Sequence, residues 1–312
     1  MTADHEPLRI GLLGCGRIAQ LVHLAALDRL EGVRLTALAD SSPGTLRASL
    51  ERVRGATGYS DYRDLLERSD VEAVVVTLPP HLHASAATAA FARGRHVYLE
   101  KPIAENLDGA AEIVTAWRRA RRIGMIGFNF RFSPAVRDAR RRLAAGSIGE
   151  VVAIRSVFTT APRVVPEWSG RREAGGGALL ALGSHHVDLV RHLLAREVIE
   201  AHARIRSART EDDTAFLELV LEGGVPMSAF LSSASRDEDI LIVQGTEGTI
   251  EIRRPGFGAG RRLLRRKRAE PSYGAALGAF VEAIRGRGPA TPDLDDGYAS
   301  LSVLVAAEKI RC

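Results

Sequence analysis

The stretch from Leu8 to Asp40 constrains the fold more than any other. Leu8-Arg9-Ile10-Gly11-Leu12-Leu13 is an apolar run with strand character, and it leads directly into Gly14-Cys15-Gly16-Arg17-Ile18-Ala19. From Ile18 to Leu30 apolar residues recur at helical spacing. A second apolar run, Val33 to Ala39, ends on Asp40. Strand, G-x-G-x-x-A, helix, strand and acid, in that order, make up a dinucleotide-binding fingerprint with its context intact. Gly14 allows the tight turn, Gly16 lets the backbone approach a pyrophosphate, and Ala19 is small enough for helix to pack on strand. The pyrophosphate is expected at the helix N-terminus, where free N–H groups and the dipole favour negative charge. Asp40 suits the adenosine ribose hydroxyls and would repel a 2′-phosphate. Ser41, Ser42 and Pro43 follow it, with no arginine among them, so NAD is favoured over NADP.

The α/β alternation continues. Helical stretches are read at Thr45–Arg54 and Tyr62–Arg68, then a buried strand at Ala73–Thr77, broken by Pro79-Pro80. His81-Leu82-His83 opens an Ala-rich helix that ends at Gly94. A strand at Val97–Pro102, a helix at Leu107–Arg122 and a strand at Gly124–Phe130 follow. Alternation of this kind means a doubly wound parallel sheet, whose ligands lie at the carboxyl ends of the strands. Asp40, Pro79, Glu100-Lys101 and Asn129 all fall at such ends. The expected cofactor set is Gly14, Gly16, Arg17, Ile18, Ala19, Asp40, Ser41, Leu78, Pro79, His83, Glu100, Lys101 and Asn129.

Beyond Phe128 the pattern changes. A helix at Pro134–Ala145 precedes a long strand at Glu150–Thr160 and a Gly- and Arg-rich loop up to Gly177. A helix at Ala178–Leu194 comes next, then strand runs at Ile199–Ser207, Thr214–Leu221, Val225–Ser232, Ile240–Gln244 and Thr249–Arg253. These read as a large, open, mostly antiparallel sheet. Helices at Leu277–Arg285 and from about Asp295 close the chain. The expected organisation is an α/β Rossmann domain over residues 1–127 and an α+β domain over 128–312, with the last helix able to pack back on the first domain.

A chain of 312 residues has room for two such domains, and 46% hydrophobic with 26% charged residues is ordinary for a globular protein. The net charge of +5 is carried almost wholly by arginines scattered among acids. Arg261–Arg268 is a dense basic run, but no nucleic-acid-binding motif accompanies it, so it reads as a solvated edge. Cys15 and Cys312 form neither a disulfide framework nor a metal knuckle. The polar N-terminus carries no signal-peptide core, and no apolar run would span a bilayer, so a cytoplasmic protein is expected.

Lys101 stands at the end of a strand in a chain whose only other lysines are Lys267 and Lys309. A lysine, unlike an arginine, can give up its proton once its pKa is lowered. The helix at 178–194 carries His185, His186, Asp188 and His192, with His185 four residues after Ala181 on one face and just past Gly175-Gly176-Gly177. Structural, acid/base and substrate-binding roles all suit His185. A metal site from His185, Asp188 and His192 lacks a further ligand, and no metal is expected.

Taken together, the fingerprint, Glu100-Lys101-Pro102, Gly127-Phe128-Asn129-Phe130-Arg131-Phe132-Ser133-Pro134, Ile148-Gly149-Glu150-Val151, the run Gly175-Gly176-Gly177-Ala178-Leu179-Leu180 continuing to His185 and Asp188, and Gly245-Thr246-Glu247-Gly248-Thr249 resemble the Gfo/Idh/MocA oxidoreductases. The resemblance covers nearly the whole chain. It implies bound NAD(P), hydride transfer at a carbon of a sugar, nucleotide-sugar or cyclitol, and a homodimer or homotetramer formed through the second sheet, with no nucleic-acid or membrane partner. Position by position, Lys101 matches the family's active-site lysine, His185 its histidine, and Pro102 a position that is often cis. Arg131, Trp168 and Arg172 match segments that border the substrate, and Arg163 in the same loop would suit a phosphate or carboxylate. The family often has an aspartate where this chain has Ala181. That departure keeps open a cofactor-retaining dehydratase or epimerase, and a dinucleotide-binding regulator without catalysis.

Overall fold

Among the described residues of the computed structural model, 6–163, 166–254 and 271–308, the chain falls into two compact units. The first draws on Met1–Ala104, Asp108–Asn129 and Lys267–Gly297, and the second on Glu105–Leu107, Phe130–Arg266 and Tyr298–Cys312. One of the crossings between units falls at 129/130, and helix Pro271–Ile284 groups with the first unit. The basic run Arg261–Arg268, and with it Lys267, lies outside the described residues, as do Lys309 and Cys312.

In the first unit six strands are all parallel, in the order β3-β2-β1-β4-β5-β6. They are β1 Leu8–Leu13, β2 Val33–Ala39, β3 Thr57–Tyr59, β4 Ala73–Val76, β5 His96–Leu99 and β6 Gly124–Ile126. This is the doubly wound order, with its topological switch point between β1 and β4. The helices that cross over between strands include Pro43–Arg52, Tyr62–Arg68, His83–Ala92 and Leu107–Ala120. β4 is buried at every position because helices cover both faces, which explains its unbroken Ala-Val-Val-Val composition. The strands end sooner than their apolar runs. Glu100, Lys101 and Pro102 lie past β5, and Asn129 lies past β6 in the 3₁₀ turn Asn129–Phe132. The Lys101–Pro102 peptide is cis.

The fingerprint helix runs from 17 to 27 and is not regular: Ala19–His23 is a π-turn, and Leu24–Leu27 is α-helical. Such turns hold one extra residue per turn and re-aim the side chains they carry.

The second unit holds a mixed sheet, ordered β12-β11-β7-β10-β9-β8. Its strands are β7 Val151–Thr159, β8 Val198–Arg206, β9 Thr214–Leu221, β10 Val225–Ser232, β11 Glu238–Gly245 and β12 Thr249–Arg253. β7 and β10 pair in parallel, and all the other pairs are antiparallel. β9 alternates buried Ala215, Leu217, Leu219 and Leu221 with exposed Phe216 and Glu218, so one face is covered and the other open. On the covered side, π-turn Leu179–Gly183 runs into α-helix Ser184–Leu194, whose side chains are almost all buried. A buried ion pair holds this helix: Arg131 Nε donates to Asp188 Oδ2 at 2.9 Å and its Nη2 donates to Oδ1.

Two glycines of the first loop do different work. Gly14 has φ +91°, and a Cβ there would stand 2.9 Å from the Thr77 carbonyl oxygen, whereas a Cβ on Gly16 would meet nothing within 4 Å. Gly14→Ala is therefore expected to cost about 1–3 kcal/mol of folding stability, and Gly16→Ala close to none. Thermal unfolding of the two variants, followed by circular dichroism, checks the contrast.

Candidate functional site

In the first unit the site is the row of loops at the carboxyl ends of the parallel strands. Gly14 turns the chain after β1, and Thr77, after β4, donates from its hydroxyl to the Gly14 carbonyl. Gly16 opens to free space, Arg17 is exposed and Ala19 is wholly buried. Asp40 follows β2. Its Oδ2 accepts the Cys15 N–H and its Oδ1 the Ser42 N–H, each at 2.8 Å. Those two bonds fix the carboxylate beside the glycine turn and leave each oxygen a further lone pair for a ligand hydroxyl. Ser41 is exposed beside it. Cys15 is buried, and burial pushes its thiol up to about 11, so it is a packed side chain and not a nucleophile.

The loops after β4 and β5 are tied together by His83. This histidine is wholly buried, with Nε2 2.8 Å from the Leu78 carbonyl and Nδ1 2.9 Å from the Pro102 carbonyl. Burial lowers its proton affinity. A neutral imidazole carries a single N–H, so one contact is a hydrogen bond and the other a close approach set by the tautomer. Expected to face a cofactor, His83 instead braces the backbone on either side of the site. Leu78 and Pro79 are half-buried in the loop it braces, and Ile18 is half-buried at the helix start.

Lys101 is half-buried. Burial lowers its pKa below the ordinary lysine value, and the Glu100 carboxylate acts in the opposite sense. Glu100 is buried; its Oε2 accepts the Lys101 N–H at 3.2 Å and its Oε1 lies 2.7 Å from His23 Nε2. His23 is all but silent in the sequence. Its one signal is a polar side chain inside an apolar helical run. Asn129 is buried, donating from Nδ2 to Ser272 Oγ at 2.8 Å, so its amide anchors helix Pro271–Ile284.

In the second unit His185 is buried and stacks on Phe130, with ring centroids 4.0 Å apart and planes inclined at 20°. Arg254 lies over Phe130 at 3.4 Å from its centroid. Two groups that close cannot share one face of the ring, so Phe130 is sandwiched between the guanidinium and His185. His186 is tied elsewhere. Arg254 Nη2 reaches its Nε2 at 3.0 Å, and its Nδ1 meets Ser156 Oγ. The same Nε2 lies 3.3 Å from Asp239 Oδ1, a group that only accepts, so its role toward each partner is set by the tautomer. Burial lowers the His186 pKa.

The arginines expected at a substrate have protein partners. Arg131 is paired with Asp188 as described, and Arg163 Nη2 lies 2.5 Å from Asp237 Oδ1. Arg172 pairs with the Glu308 carboxylate and reaches the Glu105 carbonyl at 3.4 Å. Trp168 is half-buried in the turn Glu167–Gly170. The glycine run packs on the chain itself: a Cβ on Gly176 would stand 2.5 Å from the Ser169 carbonyl oxygen. Ala181 sits within the π-turn before His185, and Asp188, the nearest acid along this helix, is held by Arg131. Among the described residues no group of three or more His, Cys, Asp or Glu side chains could hold a metal, and no helix is long and apolar enough to cross a membrane.

The residues present fit a dinucleotide: an open cradle at Gly16, a helix N-terminus behind it, and an acid at Asp40 with acceptor capacity to spare. Comparison with known proteins agrees. Residues 8–129 match the oxidoreductase family with an NAD-binding Rossmann fold, and residues 136–251 match the GFO/IDH/MocA C-terminal domain. The chain is 29% identical to inositol 2-dehydrogenase 2 of Saccharopolyspora erythraea, covering 96% of this chain and 91% of that one. It is 30% identical to the dTDP-3,4-didehydro-2,6-dideoxy-alpha-D-glucose 3-reductase of Streptomyces violaceoruber, covering 92% and 90%. Its fold is similar to that of the WlbA dehydrogenase from Bordetella pertussis, a structure with NADH and UDP-GlcNAcA, at TM-score 0.86, 21% identity and coverage of 97% and 96%. With both halves of the chain matched in order, the protein belongs to the Gfo/Idh/MocA family of oxidoreductases.

Proposed function

We propose that this protein is an NAD-dependent dehydrogenase or ketoreductase acting at a hydroxyl or keto carbon of a cyclitol, sugar or nucleotide-linked sugar. The observation that carries the reading is Lys101. It is a lysine with lowered proton affinity at the carboxyl end of β5, in the unit that carries the dinucleotide fingerprint. The names of two relatives, one an inositol dehydrogenase and one a dTDP-sugar reductase, support the substrate classes.

When bound, the nicotinamide cofactor supplies the hydride acceptor or donor. The Gly14–Ala19 turn and the helix behind it would hold its pyrophosphate, and Asp40 its adenosine ribose. In oxidation, neutral Lys101 takes the hydroxyl proton. In reduction, protonated Lys101 polarises the carbonyl and returns the proton. His185, its ring plane fixed by Phe130, shares this acid/base work. Positioned acid/base groups contribute on the order of 10²–10⁴ in rate. Asp40 carries the cofactor preference through its negative charge, which disfavours a 2′-phosphate.

Lys101→Met is expected to lower kcat by at least about 10² while leaving dinucleotide affinity near that of the parent. Turnover with a panel of inositols and nucleotide sugars, beside NADH binding followed by fluorescence, checks both halves. The pH dependence follows from the lowered Lys101 pKa. Its neutral form grows as pH rises, so kcat/KM for oxidation should climb to a plateau with a midpoint below the ordinary lysine value, and kcat/KM for reduction should fall across the same range. Asp40→Ser is expected to weaken NAD binding about tenfold or more and to narrow the gap between NAD and NADP, since a hydrogen bond to a charged group is worth about 1.5–3 kcal/mol. Dissociation constants for both cofactors measure this, and an unchanged ratio would count against the role given to Asp40.

A further inference from the structure

His23 is a wholly buried polar side chain with no assigned chemistry, carried by the π-turn Ala19–His23. Its Nε2 lies 2.7 Å from Glu100 Oε1, and the other oxygen of that carboxylate accepts the Lys101 N–H at 3.2 Å. Gly127 leaves room for the carboxylate, because a Cβ there would stand 3.0 Å from Oε2. The imidazole is otherwise lined by ring edges: Tyr98 of β5, at a centroid distance of 6.0 Å, and Tyr273 of helix Pro271–Ile284, at 5.6 Å.

A carboxylate only accepts, so His23 Nε2 carries the N–H of the contact with Glu100. His23 Nδ1 meets no polar group among the described residues. The ring's Nε2–H is donated to Glu100. Such a donor holds the carboxylate without neutralising it, so its negative charge remains to act on Lys101. His83 and Tyr98 also feel the Glu100 charge. Burial keeps the first neutral and the second un-ionised, so neither offsets that charge.

We propose that His23 is a positioning residue for Lys101: it holds a charged Glu100 carboxylate at the foot of the Lys101 segment and so sets the pH at which Lys101 exchanges its proton. The inference rests on the reading of Lys101 as the acid/base group and adds to it the pair that controls that group from behind.

Lys101 is one of three lysines in the chain, so its free amine is readily followed by acetic anhydride labelling across pH, resolved by peptide mass spectrometry. The measurement needs neither substrate nor cofactor. Glu100→Gln is expected to lower the Lys101 midpoint by about one pH unit, since a nearby opposite charge is worth roughly 1–3 units. His23→Ala should move it in the same direction, and the double variant should add nothing to Glu100→Gln, because His23 acts only through the carboxylate. His23→Gln, which brings an amide N–H toward the Nε2 position, should keep the midpoint of the parent. If His23→Ala does not fold, His23→Met fills the space without an N–H and serves in its place. An unmoved midpoint in Glu100→Gln overturns the proposal, and so does a shift there that His23→Ala or His23→Met lacks. Parent-like turnover in Lys101→Met beside shifted labelling would remove the acid/base reading and leave the control of Lys101 by His23 and Glu100 intact.

Discussion

Leu13 pairs with Ala39 on one side and with Val76 on the other, and Leu99 pairs with Val76 and with Ile126. That register aligns the last residues of five strands, so that whatever follows them falls along one edge. Parallel pairing is what makes this possible, because every strand then delivers its carboxyl end to the same side. Gly14, Asp40, Thr77, Glu100-Lys101 and Gly127 are the residues delivered. Slip one strand by a residue and each of its side chains changes face, to be packed against the other layer of helices. Moving the acid of Asp40 or the amine of Lys101 away from this edge would therefore break the core as well as the site.

Burial works on this edge in two ways. It strips water from Lys101 and Cys15, lowering one proton affinity and raising the other. It also demands partners for every polar group it covers. Glu100 finds His23 and the Lys101 N–H, and Asp40 finds two backbone N–H groups. In the second unit the same demand shapes a buried layer: Asp188 takes Arg131, and His186 takes Arg254, Asp239 and Ser156. Arg254 then lies on Phe130, and Phe130 on His185. The ring plane of His185 is thus fixed by residues that need never touch a ligand.

Local patterns with a physical period were legible in the sequence. The fingerprint, helix 178–194 and strands β9 and β10 lie where apolar spacing puts them. β3 was not visible, because Thr57-Gly58-Tyr59 is too short to show a period and holds a glycine. The parallel pairing of β7 with β10 was invisible for another reason: it joins segments far apart in sequence, and no local signal selects the partner. Arg131, Arg163 and Arg172 looked available to a ligand because their carboxylate partners, Asp188, Asp237 and Glu308, are remote in the chain. His23 was hidden in the opposite way: it sits in an apolar stretch and its partner arrives from β5. A residue's place at a strand end is legible in a local pattern, while the pairing of side chains remote in the chain is not.

If hydride passes between a substrate carbon and a bound nicotinamide while Lys101 moves the accompanying proton, as proposed, a label on that carbon must follow it. Deuterium transfer tests it most directly. The protein is incubated with NAD and a cyclitol or nucleotide sugar deuterated at its carbinol carbons, and the mass of the nicotinamide is then read. Deuterium is expected on the reduced ring with the parent protein, and that transfer should be lost in Lys101→Met while NAD stays bound. Binding of NAD without any transfer by the parent, or equal transfer by both proteins, would contradict it.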